Sequence, residues 1–121
     1  MPLFNTTEPN LPGKLRVATV NSIYYIDVND IVRIQSISNY SKLFFTSGKT
    51  LLVAKVLAHF DGLLTKEHFS RIHRTHLVNL SYVKQYRSGN INKISMSNDD
   101  VLPVSRKNKK ILLQKMEMRS F

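Results

Sequence analysis

The sequence predicts a mostly β fold of about eight or nine short strands, with one short internal helix and one C-terminal helix. Three observations carry that expectation. Short runs rich in Val, Ile, Tyr and Phe recur along the chain, separated by Gly, Ser, Asn and Asp. The hydrophobic period changes from two to that of a helix at only two places. No strand–helix–strand alternation and no helix-turn-helix pattern is present, which excludes a doubly wound sheet.

Taken in order, residues 1–13 hold Pro2, Pro9, Pro12 and Gly13 and read as a flexible tail or linker remnant, leaving 14–121 as the domain. "KLRVATV" and "IYYIDV" flank Asn21-Ser22, a hairpin turn. "DIVRIQSI" alternates, with Ile31, Arg33 and Gln35 opposite Val32, Ile34 and Ser36, and "SNYS" (38–41) reads as a loop. "KLFFTSGKTLLV" is a second hairpin turning at Ser47-Gly48. In "AKVLAHFDGLLTKEHF", Val56, Leu57, Phe60, Leu63 and Leu64 take helical spacing, and Gly62 weakens the later turns.

"FSRIHR" returns to extended chain, and "LVNLSYVKQYR" passes through a short turn into a strand. "SGN" (88–90) joins that strand to "INKISM", and "SNDD" leads into "VLPV". Ser105 is a natural N-cap for "RKNKKILLQKMEM", where Ile111, Leu112 and Met116 form an apolar stripe. Phe69, Ile72, Leu77 and Val78 are expected in the core.

Composition narrows function. The 121 residues suit one domain with one core. Lys and Arg number 18 against 8 acids, a net charge of +10, with a pI near 10.1. A pI above ~9 is the electrostatic footprint of a polyanion binder, with nucleic acid the first partner and an anionic membrane the second. The absence of cysteine removes disulfides, thiolate zinc sites and a cysteine nucleophile. The N-terminus has no signal-peptide pattern, and no apolar run approaches the ~20 residues that span a bilayer. A cytoplasmic, non-membrane location follows as the expectation.

No catalytic machinery is visible: the sequence holds no GxSxG, P-loop or GxGxxG pattern. His73 and His76 are three apart, which on a continuous strand puts them on opposite faces, and no third ligand is spaced to join them. Neither an enzyme, a metal nor a cofactor is expected.

The basic residues cluster instead. From Pro103 to Phe121 lie six, namely Arg106, Lys107, Lys109, Lys110, Lys115 and Arg119, against Glu117. Such a run is commonly a solvated helix face. Arg106 and Lys107, however, open a helix, where cations oppose the macrodipole. That arrangement hints at an external anion. Arg bonds guanine bidentately and Asn pairs with adenine, so the loop "SNYSK" (38–42), held by a rigid sheet, can present base-reading groups; the alternative is an ordinary turn.

These same residues resemble a known family. "FSRIHRTHLVNLSYV" is similar to the signature of LytTR DNA-binding domains, and "LPVSRKNKKIL" resembles that family's second hallmark. "DIVRIQSISNYSKLFFTSGKTLLVAKVLAHFDGLL" resembles its front half, so the likeness runs from about residue 15 to 118. It implies an elongated, multi-stranded LytTR-type fold and a sequence-specific regulator of transcription that reads successive major grooves of double-stranded DNA through loops. Mapped residue by residue, it makes Arg106, Arg74, Ser41 and Asn39 the base readers. Arg71, Lys42, Tyr40, Lys107, Lys109 and Lys110 become phosphate contacts, which position without specifying. His73 is cast as a hydrogen-bonded prop beneath Arg74.

Gln35 and Thr75 depart from the pattern, where Glu and Ser are usual. No receiver domain precedes the fold, so the chain reads as a stand-alone regulator or the effector domain of a two-component response regulator. Direct-repeat sites and a dimer formed on DNA are expected. The rival is a basic protein-interaction or membrane-surface module using the last helix. An RNA-binding module would need exposed aromatics such as Tyr40 and Tyr86.

Overall fold

Eleven strands and two helices build the domain among the described residues. The structure is a computed structural model that describes the backbone of 5–7, and residues 13–18, 20–65 and 68–118 in full. In chain order the elements are β1 (Asn5–Thr7), β2 (Lys14–Ala18), β3 (Ile23–Asp27), β4 (Ile31–Ile37), β5 (Tyr40–Phe45) and β6 (Thr50–Val53). There follow α1 (Leu57–Leu64), β7 (Phe69–His73), β8 (His76–Asn79), β9 (Val83–Arg87), β10 (Asn92–Met96), β11 (Val101–Val104) and α2 (Arg106–Glu117).

A central antiparallel sheet, ordered β6-β5-β4-β8-β7, lies between two cores. One core joins Ile34, Leu43, Phe69 and Leu77 of this sheet to Leu15 and Val17 of β2 and to Leu57, Phe60 and Leu64 of α1. The other joins Val32, Ile72 and Val78 to the sheet β11-β10-β9 and to Leu112 of α2. Leu77 and Val78 are adjacent in sequence yet serve different cores, as a strand's two-residue period demands. With both sheet faces covered, all of β8 and the first four residues of β4 are buried, polar ones included. Arg33, 7% exposed, is the cation inside β4; its Nε donates to Asp100 at 2.8 Å and its guanidinium stacks on Phe44.

The structure departs from expectation at four places. Asn5–Thr7, within the presumed tail, pairs with β2. Half of "SNYS" is strand: β4 and β5 pair as far as Ile37 and Tyr40, and only Ser38-Asn39 turn. Val56, 50% exposed, precedes α1 as an extended cap rather than joining its apolar face. The even alternation of β4 breaks at a register shift between Ile31 and Arg33, which lets Ile31 and Ile34 share one core.

Candidate nucleic-acid interface

Three short turns and junctions gather at one end of the central sheet. The first is Ser38-Asn39, joining β4 to β5; Asn39 and Tyr40 are exposed there. The second is Arg74-Thr75, joining β7 to β8. Because β8 runs antiparallel to β4, with Gln35 beside His76, this turn lies at the same end as Ser38-Asn39. The Ser36 amide donates to the Thr75 carbonyl at 2.9 Å and ties the two together. The third is the start of α2. The Ser105 amide donates to the Ile72 carbonyl at 2.8 Å, which holds the helix start beside the Arg74 turn.

Local chemistry explains each placement. Ser105 caps α2: its Oγ accepts from the Asn108 amide at 3.3 Å and from Asn108 Nδ2 at 2.7 Å. Arg106 and Lys107 then stand exposed in the first turn, which carries no acid. The Arg74 turn contains neither Gly nor Pro, so side chains hold it. Nδ1 of His73 accepts from the Thr75 amide at 3.2 Å and meets Thr75 Oγ1 at 2.9 Å. Arg71 donates from Nε to the His73 carbonyl at 2.9 Å and from Nη2 to the Arg74 carbonyl at 2.6 Å. Its Nη1 pairs with Asp61 at 3.2 Å. Arg74 itself projects, exposed.

A family model described as the LytTr DNA-binding domain matches residues 21–117 of this sequence. The chain belongs to the LytTR family of DNA-binding domains. The fold agrees: the LytTR domain of a protein described as a methyl-accepting/DNA response regulator from Bacillus cereus superposes with a TM-score of 0.72 at 18% identity. That likeness covers 88% of this chain and 98% of the other. No curated protein matches significantly.

Within this LytTR domain the expected contact residues fall into distinct sets. Asn39, Tyr40, Arg74, Arg106 and Lys107 are exposed at the shared end or at the start of α2. The cations of α2 divide between two faces. Lys107 and Lys115 line a groove with Arg74, whereas Arg106, Lys109 and Lys110 line a separate depression with Gln114.

One assignment needs correction, and two others are qualified. Ser41 is fully buried and its hydroxyl donates to the Lys55 carbonyl at 2.7 Å, so it cannot read a base; Asn39 is what the turn exposes. Arg71 uses all three guanidinium nitrogens to brace the Arg74 turn and pair with Asp61, a structural role beside the expected phosphate contact. Lys42 lies half-buried on the sheet with Nζ 5.2 Å from the Phe44 ring centre, back from the tip.

The histidines do not face opposite ways. The chain reverses at Arg74-Thr75, so His73 and His76 pair across the hairpin with ring centres 5.7 Å apart. Burial, then the charges of Arg33 and His73, lowers the His76 pKa to about 4, which keeps that ring neutral at pH 7. Among the described residues no group of three or more His, Asp or Glu could hold a metal, and no helix is long and apolar enough to cross a membrane. Sequence reasoning gave no site role to Asn108 or Lys55, and counted Lys115 only within the basic run. Their signal, single polar positions among many, becomes visible only when the fold sets them against Arg74 or Ser41.

Proposed function

We propose that this domain binds double-stranded DNA sequence-specifically and regulates transcription, with Asn39, Arg74 and Arg106 reading bases in successive major grooves. Tyr40, Lys107, Lys109 and Lys110 contact phosphates and set the register. The observation that supports this reading most is the gathering of Asn39, Arg74 and the start of α2 at one end of a doubly covered sheet. Turns braced at both sides hold base-reading groups still, so little ordering entropy is lost on binding.

The domain acts in the bacterial cytoplasm as a regulator, alone or as the effector part of a response regulator, the context borne by the Bacillus cereus neighbour's description. Its sites are direct repeats, on which two copies assemble. Selection from random duplexes tests the reading: a shared motif repeated at a fixed spacing supports it, and an unenriched pool contradicts it.

The membrane-surface reading loses its main support. Leu112 is 1% exposed in the second core and Met116 packs against that core, leaving Ile111 as the exposed member of the stripe.

A further inference from the structure

We propose that the groove between α1, β7 and α2 is a binding site for a phosphate-type oxyanion. The groove encloses about 600 Å³ and is lined by Ser70, Arg74, Ser105, Lys107, Asn108 and Lys115, among others. Its chemistry is cationic. Asp61 also lines it, but the Arg71 guanidinium sits 3.2 Å from that carboxylate and offsets it. Among the described residues Arg74, Lys107 and Lys115 line the groove without an acid partner, and Lys115 Nζ also donates to the Phe69 carbonyl at 3.2 Å.

The second observation is Ser70. It is fully buried on β7, it lines the groove, and its hydroxyl has no hydrogen-bond partner. A buried hydroxyl without a partner carries a desolvation penalty that a bound acceptor relieves. The start of α2 opens onto the same space. Ser105 and Asn108 stand there at the positive end of a twelve-residue helix. A buried hydroxyl, flanking ammonium and guanidinium groups and a helix N-terminus together match the acceptor-only shell of a phosphate. The volume exceeds a bare ion and leaves room for an ester substituent.

The phosphate can come from a free phosphomonoester or from a DNA backbone, since Arg74 borders the groove. The site itself stands independently of the DNA-binding reading, and it is tested first without DNA. The ¹⁵N-labelled domain is titrated with inorganic phosphate, against chloride at matched ionic strength. The expected result is saturable shifts at Ser70, Ser105 and Asn108. Ser70→Ala should bind phosphate about tenfold more weakly, the worth of one hydrogen bond to a charged group. Lys107→Gln, an exposed change that leaves the fold intact, should weaken binding several-fold and guards against a folding defect in the first variant.

Shifts that never saturate, that spread equally to distant cations such as Lys49 and Lys84, or that ignore both substitutions overturn the proposal. Adding duplex then identifies the source. Displacement of phosphate from the groove assigns the site to a backbone phosphate, and co-occupancy assigns it to a free phosphomonoester.

Discussion

Ser41 and His76 show how much a single residue's role depends on its surroundings. Ser41 sits beside the proposed base-reading turn in sequence, yet its hydroxyl donates to the Lys55 carbonyl inside the fold. Ser41→Ala should therefore cost about 1 kcal/mol of stability and leave the preference for target over random DNA unchanged, as urea melts and competition binding would show. His76 gives a pH signature. Its folded pKa, near 4, lies below the ordinary 6.5, so the unfolded chain takes up a proton first as pH falls. Stability is full above about pH 6.5 and drops toward pH 4, by about 2 kcal/mol at pH 5. The partly buried His59, also lowered by burial and by Lys55, adds to the same trend. Denaturation at pH 7 and pH 5 should show that slope in the wild type and a shallower one in His76→Gln.

At the scale of elements, α2 joins core to interface. Leu112 anchors it in the second core while Ser105 caps the end that presents Arg106. Removing the cap with Ser105→Ala should destabilise the domain by about 1 kcal/mol and loosen DNA binding without changing which sequence is preferred; an altered preference would mean that Ser105 itself reads the site. Most elements were legible because the hairpins at Asn21-Ser22, Ser47-Gly48 and 88–90 carry turn residues, and Gly48 takes φ +87° as such a turn requires. The Arg74-Thr75 reversal was legible only through the family likeness, since it rests on Arg71 and His73 rather than on Gly or Pro. Asn39 and Arg106 were legible as exposed polar positions at a turn and a helix start. The burial of Ser41 was not, because strand pairing continues to Tyr40 and turns the next side chain inward.

For the whole molecule, the proposed reading has the net charge of +10 set affinity and the braced end of the sheet set specificity. With the three lysines Lys107, Lys109 and Lys110 at phosphates, log K should fall against log salt with a slope of about −3. Lys109→Ala should flatten that slope by about one unit while weakening all sequences alike, which fluorescence anisotropy across a salt series measures directly. Both faces of the central sheet are covered by cores, and on the proposed reading this lets the three tips serve as a fixed template. The decisive measurement is the ratio of affinities for a selected duplex and a scrambled one, in the wild type and in Arg106→Ala. The account predicts that the ratio falls by roughly tenfold or more, equivalent to about 1–3 kcal/mol for one lost base contact, with affinity for the scrambled duplex reduced far less. An unchanged ratio, with both affinities lowered together, would contradict it.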